Sequence, residues 1–327
     1  MLKVKVIEPC ESPWSSPGMI VPKKAPGEWR FAIDYRAVNR LTKPSAYCLP
    51  RLDDSLASMH GAKFFTSLDS ASAFWTIELT ERAKDITAFV SSSGDGQFRF
   101  TRMPFGLSNA PASWQRLMDM VFQGMHWKSV LTFIDDICVF SATYEDHVRD
   151  VREVLDRVKK FGLRLQPGKC SFFKKELHYL GHIVSDQGVA LDPAKTEALK
   201  PMLEDPPTSV KQIRTFLGLT SYFRNYVKNY ASLVAPLTRL TKKGASLQEW
   251  GWKQKEAVDT VKQILSSPPI LAYPDFTQQF HVATDASDIG IGAVLSQFAG
   301  KIERVICHAS RALAEGRRNL TRLKRKR

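Results

Sequence analysis

Two adjacent carboxylates, Asp135 and Asp136, interrupt an otherwise apolar stretch that runs from Leu131 to Phe140. Apolar, β-branched and aromatic residues on both sides of a polar pair predict two short strands joined by a tight turn. Aspartate is also a common turn residue, because its side chain can hydrogen-bond to nearby backbone. Two carboxylates held at one turn, however, repel each other unless a cation lies nearby. The pair therefore predicts a site for a hard divalent cation such as Mg²⁺ at the tip of a hairpin.

A third carboxylate, Asp69, ends another strand-like stretch that begins at Phe64, and an apolar pattern resumes at Phe74. A carboxylate at a strand end, combined with a carboxylate pair on a distant hairpin, is the arrangement of a two-metal phosphoryl-transfer site. We therefore expect Asp69 to lie close to Asp135 and Asp136 in the folded chain.

Composition narrows the class of protein. The chain of 327 residues is long enough for two or three compact units. Its formal charge of +14 favours a polyanionic partner, although seven of the positive charges lie in residues 317–327. Five scattered cysteines indicate reduced thiols, because they form neither a zinc pattern nor a disulfide framework. No apolar run is long enough to span a bilayer, so we expect an intracellular protein with no membrane partner.

Apolar residues at helical spacing predict several helices. Asn109 and Pro111 begin one helix, which Gly124 ends. Thr143 and Asp146 form a capping-box-like start of another, whose apolar positions continue through Leu155 and Phe161. A further amphipathic region begins at a Thr208 cap, and a helix after residue 250 precedes strand-like stretches at residues 280–284, 289–295 and 302–308.

Eight sequence strings, in this order, resemble the reverse transcriptase of gypsy-type retrotransposons with long terminal repeats and, more distantly, that of retroviruses. The resemblance extends from about residue 8 to about residue 319. The strings are SPWSSP at 12–17, WRFAIDYRAVN at 29–39, LDSASAFW at 68–75, MPFGLSNAPASWQ at 103–115, FIDDI at 133–137, YLGH at 179–182, FLGL at 216–219 and TDAS at 284–287.

The resemblance implies a mixed α/β (α+β) fold, a right-hand polymerase with fingers, palm and thumb, followed by an incomplete RNase H-like unit. We place fingers and palm at residues 1–190, the thumb and connection at 191–245 and the partial RNase H-like unit at 246–316. Residues 317–327 form a basic tail.

The resemblance also implies which residues carry the chemistry. Asp69, Asp135 and Asp136 are the catalytic carboxylates and would hold two Mg²⁺ ions, with Mn²⁺ as an alternative; the ligand role of Asp136 is the least defined. Lys169 matches a palm lysine proposed to protonate pyrophosphate, and simple surface exposure is the alternative interpretation. Phe74 matches an aromatic residue below the sugar of the incoming nucleotide, where its bulk would exclude a 2′-hydroxyl; a core position is the alternative.

Further nucleotide contacts are implied by two other strings. Phe105 and Gly106 lie in a turn before a helix N-terminus, where free backbone N–H groups favour phosphate, and Gln115 matches the family but is equally compatible with a structural role. In the fingers, the matching basic residues that would bind the triphosphate are Lys23, Lys24 and Arg30. Taken without the resemblance, the two lysines are better explained by a solvated basic loop, and Arg30, between Trp29 and Phe31 on a strand, is the stronger candidate.

The C-terminal third carries two further resemblances. Leu180, Gly181 and His182 match the hairpin that grips the primer end, and the basic and aromatic helices after residue 208 would form a thumb that contacts duplex backbone. Asp285 matches the first metal ligand of an RNase H domain. Since Asp288, Glu303 and Glu315 match no other ligand position, we expect no ribonuclease H activity from this chain.

The sequence therefore predicts an RNA- and DNA-directed DNA polymerase that extends a primer with dNTPs on an RNA or DNA template. Other segments of a Pol polyprotein are further expected partners, and the expected location is cytoplasmic, within a virus-like particle, with a nuclear location as an alternative. A competing hypothesis is a degenerate retroelement copy that binds nucleic acid without catalysis.

Overall fold

The computed structural model describes residues 1–22, 27, 29–91, 96–287 and 289–313, without the side chain of Arg30. It divides into two compact units. One comprises Met1–Ser58 and Lys63–Lys174, and the other comprises Met59–Ala62 and Lys175–Arg327. The division falls near residue 174, whereas the predicted domain boundaries at 190, 245 and 316 come from the resemblance and stay predictions.

The first unit contains two sheets and the helices that cover them. Its strands are β1 (Ile7–Pro9), β2 (Ser16–Pro22), β3 (Trp29–Ile33), β4 (Phe64–Asp69), β5 (Phe89–Val90), β6 (Gln97–Phe100), β7 (Val130–Phe133), β8 (Asp136–Ser141) and β9 (Ser171–Lys174). Its helices are α1 (Arg36–Leu41), α2 (Leu52–Ala57), α3 (Glu81–Ile86), α4 (Ala110–Val121) and α5 (Tyr144–Lys160). Five strands form a sheet in the order β1-β6-β5-β2-β3, and four form another in the order β7-β8-β4-β9.

The four-stranded sheet, with α4 and α5 packed against it, contains the strands that border the acidic residues. Its central strand β8 is buried along nearly its whole length, as its continuous apolar sequence requires. Helices α4 and α5 pack on it through one hydrophobic cluster, which includes Trp114, Val139 and Val154. Burial of each such large apolar side chain stabilises the fold by about 1.5–3 kcal/mol, so the strands that end at the acidic residues are held rigidly.

Both helices that cover this sheet were predicted, with differences at their ends and edges. The Thr143 hydroxyl accepts the Asp146 N–H at 3.1 Å, which confirms the predicted start of α5. Leu155 and Phe161 were predicted on the apolar face but are exposed, because they lie at the edge of the stripe that Val151, Val154 and Val158 bury.

A directional chain of hydrogen bonds ties α5 to the sheet. The Phe173 N–H donates to the Thr66 hydroxyl at 3.2 Å, which lies 2.8 Å from Nε2 of the buried His147. Nδ1 of His147 lies 3.0 Å from the Ser141 hydroxyl, which donates to the Asp150 carboxylate at 2.8 Å. Because the Ser141 hydroxyl donates its proton to Asp150, it accepts from Nδ1 of His147, which therefore carries a proton.

We expect His147 to make folding sensitive to acid. Burial lowers the pKa of His147 below its ordinary value of 6.5, and Asp150 opposes this only in part. Since the unfolded chain then binds the proton more readily, stability is complete above pH 6.5 and falls below it, by at most about 1.4 kcal/mol per pH unit. Urea unfolding between pH 7.5 and pH 5.5 should show a shallower pH slope for His147→Gln than for the parent. Equal slopes in the two proteins would contradict the assignment.

The second unit consists of two three-stranded sheets and a group of helices. Its strands are β10 (Glu176–Tyr179), β11 (His182–Ser185), β12 (Gly188–Leu191), β13 (His281–Ala286), β14 (Gly290–Ala299) and β15 (Ile302–Ala312), paired as β10-β11-β12 and β13-β14-β15. Its helices are α6 (Pro193–Thr196), α7 (Val210–Tyr222), α8 (Tyr230–Leu233), α9 (Ala235–Leu240) and α10 (Trp252–Ser266). The three predicted C-terminal strands are confirmed. The predicted Thr208 cap is wrong, because the N-cap of α7 is Ser209. The Ser209 N–H donates to the Gln212 side chain.

Candidate active site

The predicted hairpin is present, and its turn is strained. Strands β7 and β8 pair with Phe133 opposite Asp136, which leaves Ile134 and Asp135 as the turn. Ile134 has φ 52°, a left-handed conformation that β-branched residues rarely adopt. The Trp114 indole N–H donates to the Ile134 carbonyl at 2.5 Å and so holds this conformation. Such strain persists only where the surroundings impose it, and it concentrates at functional sites.

The third acid lies beside the pair, as predicted. Asp69 is the last residue of β4 and stands opposite Asp136 in the antiparallel register. One residue further, the Ser70 N–H donates to the Asp135 carbonyl at 3.1 Å. The register of two neighbouring strands thus brings together carboxylates that are 66 residues apart in sequence.

Lys169 completes the charged group. It lies in a 3₁₀ turn, Pro167–Lys169, that is attached to β4 because the Gln166 N–H donates to the Asp69 carbonyl at 2.9 Å. Its Nζ lies 3.3 Å from Oδ2 of Asp69. An exposed ion pair of this kind contributes little stability. Its effect is to hold the positively charged Lys169 side chain beside the acids. A role in proton transfer to pyrophosphate stays a prediction.

The acids make the site electrostatically unfavourable without a counter-charge. Burial raises the pKa of Asp135, and the neighbouring Asp136 and Asp69 raise it further, while Lys169 opposes them. Burial and then Asp69 likewise raise the pKa of Asp136. Oδ1 of Asp135 is buried and has no hydrogen-bond partner within the described part of the chain. An added cation would relieve both the repulsion and the unpaired oxygen.

The carboxylate oxygens of the site fit a hard divalent cation, although the described side chains alone do not complete its coordination shell. Among the described residues, no group of three or more His, Cys, Asp or Glu side chains is arranged to hold a metal ion. Mg²⁺ usually takes only one or two protein carboxylates and completes its shell with water and substrate phosphate. Carboxylate oxygens with one unpaired atom match that requirement, and the two-ion assignment stays a prediction.

A cavity of about 620 Å³ opens beside the acids. Its lining combines polar groups with aromatic rings, and its volume lies in the range of small-molecule sites. The lining residues include Phe31, Ile33, Asp69, Ser70, Ser72, Trp75, Phe105, Asp135, Gln166 and Lys169. Sequence reasoning missed Ser70, Ser72 and Trp75, although all three lie within the string that contains Asp69.

Two phenylalanines predicted to contact nucleotide pack against each other with their ring planes tilted by 57°. The ring centroids of Phe74 and Phe105 are 4.9 Å apart. Phe74 is 7% exposed and also contacts Trp114, whereas Phe105 is 45% exposed and lines the cavity. Phe105 therefore presents its ring directly to the cavity, and Phe74 supports it from the core.

The prediction that Gln115 binds nucleotide is wrong. Gln115 is completely buried on α4, and its amide N–H₂ donates to the Thr132 hydroxyl at 2.9 Å and to Asp119 at 3.0 Å. The helix turns this position toward β7 and away from the cavity. The alternative structural interpretation of Gln115 applies.

Three predicted triphosphate contacts cannot be placed. Lys23 and Lys24 lie outside the described residues, and so does the side chain of Arg30, although its backbone belongs to β3. Their roles stay predictions.

A hairpin forms in the second unit where a primer grip was predicted, and its contact with a primer stays a prediction. Leu180 and Gly181 form a two-residue turn between β10 and β11, with φ 49° and 82°. Positive φ at both positions matches the turn type that tight hairpins favour. The Tyr222 hydroxyl donates to the Leu180 carbonyl at 2.8 Å, which stabilises this conformation.

His182 is not available as a surface contact. Its side chain is 4% exposed, stacks on Tyr226 and lies 2.9 Å from the Tyr226 hydroxyl. A direct side-chain contact of His182 with a primer is therefore contradicted, because the ring packs into the helices instead. Leu180 and Gly181 form the half-buried tip of the hairpin.

Asp285 lies on β13, opposite Gly292 of β14. Its carboxylate accepts one long hydrogen bond, from the Asn229 amide at 3.4 Å. Glu303 accepts the Ser296 hydroxyl at 2.6 Å, whereas Asp288 and Glu315 lie outside the described residues. The described acids therefore do not place a second ligand beside Asp285, and the expected lack of ribonuclease H activity stays a prediction.

Over the residues with an assigned structure, no helix combines the length and the apolar composition needed to cross a bilayer.

Comparison with known families decides the classification. Residues 21–184, half of the chain, match the family described as reverse transcriptase (RNA-dependent DNA polymerase). The chain belongs to the reverse transcriptase family. Residues 250–326 match an RNase H-like domain found in reverse transcriptase. This second match includes residues 317–326, which sequence analysis had set apart as a basic tail.

Relatives of this reverse transcriptase chain are Pol polyproteins of transposons. It is 38% identical over 301 residues to the retrovirus-related Pol polyprotein from transposon 297 of Drosophila melanogaster, which covers 91% of this chain and 28% of the relative. It is 37% identical over 335 residues to that from transposon gypsy of the same organism, covering 98% and 32%. The predicted gypsy-type resemblance is confirmed, and the chain spans about a third or less of these relatives.

Solved structures confirm the predicted polymerase fold. The foamy viral protease-reverse transcriptase in complex with dsDNA has a TM-score of 0.85 at 23% identity, with 99% of this chain and 66% of that chain covered. The same protein in complex with RNA/DNA hybrid has a TM-score of 0.81 at 23% identity, with 96% and 42% covered.

Proposed function

We propose that this chain catalyses the template-directed addition of dNTPs to a primer 3′ end, as an RNA- and DNA-directed DNA polymerase. One observation carries the proposal. Asp69 and Asp136 stand opposite each other on adjacent strands, with Asp135 at the neighbouring turn, and Asp69 and Asp135 border a cavity of nucleotide size.

The acids would act as a cation-binding group. Asp69 and Asp135, both at the cavity, would supply the ligand oxygens, and Asp136 would add negative charge beside them. Divalent cations bound there would activate the primer hydroxyl and stabilise the pyrophosphate leaving group. The strained turn and the register between β4 and β8 fix the positions of these oxygens before substrate arrives, which lowers the reorganisation needed during reaction.

Lys169 and the aromatic wall would orient the nucleotide. Lys169 would exchange its contact with Asp69 for a phosphate oxygen once the acids are neutralised, since its Nζ is exposed and long enough to move. Phe105, supported by Phe74, would contact the sugar or base through its ring.

Duplex nucleic acid is the proposed partner, and it is the partner named for the foamy viral relatives. The formal charge of +14 supports binding to a polyanion. Contacts to phosphate predict affinity that is independent of base sequence and falls steeply as salt increases.

Primer extension tests the proposal. A labelled DNA primer on an RNA template and on a DNA template should be extended by the purified chain with Mg²⁺ and four dNTPs. Salt-sensitive duplex binding without extension would instead support the competing hypothesis of a degenerate copy that only binds nucleic acid.

Phe74→Ala tests sugar selection. Because Phe74 supports the Phe105 ring at the cavity, its truncation should loosen that wall and raise the ratio of rNTP to dNTP incorporation by roughly 10–100-fold, the range that pocket shape provides. Single-nucleotide kcat/KM values for the two sugars measure this ratio, and the exposed Phe276→Ala is the matched control. Phe105→Ala separates the two rings, because a larger change there than in Phe74→Ala would assign the selectivity to Phe105.

A further inference from the structure

Asn39 joins α1 to the loop that carries Phe105 and Gly106. Its Nδ2 donates to the Gly106 carbonyl at 2.8 Å, and its Oδ1 accepts the Ser108 N–H at 2.8 Å. One amide side chain therefore satisfies an acceptor and a donor of the same loop, which neither a carboxylate nor an apolar side chain can do.

Asn109 makes the reciprocal connection. Its Oδ1 accepts the Ser45 N–H at 2.9 Å, and its Nδ2 donates to the Lys43 carbonyl at 3.0 Å. The sequence placed Asn109 at the start of α4, and the residue does occupy the N-cap position, but its side chain makes no capping hydrogen bond. Two segments, residues 39–45 and 106–109, thus exchange four hydrogen bonds through two asparagines. We call this set the asparagine clasp.

The clasp acts on a loop whose backbone passes close to Ile33 and Tyr35. Gly106 has φ 99°, and a Cβ at this position would lie 3.5 Å from the Ile33 carbonyl and 3.4 Å from the Tyr35 ring. Phe105 adjoins it and presents its ring to the cavity beside the acids. Asn39 itself does not line that cavity, so any effect on the nucleotide must pass through Phe105 and Gly106.

We infer that Asn39 and Asn109 are positioning residues, and that the asparagine clasp sets nucleotide affinity by fixing Phe105 and Gly106 at the cavity wall. The inference rests on the proposed polymerase function. Loss of the clasp frees the loop to sample other conformations, and binding then selects only the competent fraction. Nucleotide affinity should decrease while the chemistry at the acids stays largely intact.

Two substitutions at Asn39 separate geometry from charge. Asn39→Asp keeps the acceptor for Ser108 but loses the donor to Gly106, and Asn39→Leu is neutral and loses both. Each should raise KM for dNTP by roughly tenfold, the effect expected from one or two hydrogen bonds, with kcat changed less than threefold. Gln123→Glu, an exposed amide-to-carboxylate change in the same unit, should leave both constants unchanged.

Asn109→Asp provides an independent variant. Aspartate is as good as asparagine at a helix N-terminus, so α4 should stay folded while the donor to Lys43 is lost. The same rise in KM supports the clasp. An unchanged KM in the Asn39 and Asn109 variants, or a fall in kcat alone, overturns it.

A second readout keeps the clasp testable if the parent does not extend primers, in which case the proposed polymerase function fails. Backbone amide exchange at Ser108 should be faster in Asn39→Leu than in the parent, because its acceptor has been removed. Faster exchange then supports the clasp as a structural device, and equal exchange overturns it.

Discussion

Asp135→Asn is expected to reduce primer extension by about 10³-fold or more. The substitution keeps the size of the side chain, removes its negative charge and replaces one of its two oxygens by an NH₂ group, which cannot bind a cation. The parent carboxylate has an oxygen, Oδ1, that is buried and unpaired within the described part of the chain. Loss of a ligand that stabilises transition-state charge costs several kcal/mol of activation free energy, and each 1.4 kcal/mol is about tenfold in rate. Single-turnover incorporation of one dNTP measures the effect, and Asp69→Asn should give a loss of similar size.

The same substitution should leave the free energy of unfolding unchanged or increase it. Burial and the neighbouring acids raise the pKa of Asp135 in the folded chain, so ionisation of this carboxyl destabilises the fold as pH rises through that pKa. The neutral amide has no such loss, so Asp135→Asn should unfold at an equal or higher urea concentration than the parent at pH 7.5. A low rate in a variant that is equally or more stable excludes unfolding as the cause.

The matched control is Asp156→Asn, on the exposed face of α5. It should retain parent activity and parent stability. Mg²⁺ should raise the Tm of the parent and of this control more than that of Asp135→Asn, since a ligand that binds only the folded state stabilises it. Parent-like extension by Asp135→Asn would refute the assignment of the three acids.

Trp114→Ala is expected to produce the largest loss of stability, about 3–5 kcal/mol. The side chain is completely buried between α4 and the sheet, and removal of a buried tryptophan leaves a cavity that the surroundings fill only in part. Urea unfolding at pH 7.5 measures the loss. Trp252→Ala, in which the ring is 70% exposed, should change stability by less than about 0.5 kcal/mol.

Trp114→Phe separates packing from the hydrogen bond. It keeps an aromatic ring in the core but leaves the Ile134 carbonyl without its donor, which should cost about 1–3 kcal/mol. Since Ile134 precedes Asp135 in the strained turn, extension should decrease in Trp114→Phe even where the chain is fully folded. Parent-like extension by a folded Trp114→Phe would show that the indole N–H does not position the hairpin.

Much of the site could be predicted because its signals are local. The apolar residues around Asp135 and Asp136 encode strands, and the polar pair between them encodes the turn, so β7, β8 and the hairpin follow from residues 131–140. Asp69 ends a strand for the same reason. That the three acids meet was inferred from the chemistry of a two-metal site. The pairing of β4 with β8 was not predicted, since alternation along one strand does not specify its partner.

Two site predictions were wrong because residues in matching strings were assumed to be exposed. Gln115 and His182 belong to matching strings, yet both are buried. A matching string indicates that a certain residue type is needed at a position. The reason can be a buried hydrogen bond as well as a contact with a ligand. The orientation of a helix or strand relative to its neighbours decides between the two.

The sequence by itself determined the elements, the acidic hairpin, the strand that ends at Asp69 and the membership in a polymerase family. Only the tertiary structure decided that Phe105 and not Phe74 presents its ring to the cavity, that Trp114 holds the Ile134 carbonyl and that Asn39 and Asn109 join two loops. These contacts depend on side chains up to 70 residues apart, whose pairing follows from how sheets and helices pack. Local periodicity reports which face of an element is apolar, and it carries no information on which distant polar group will meet that face.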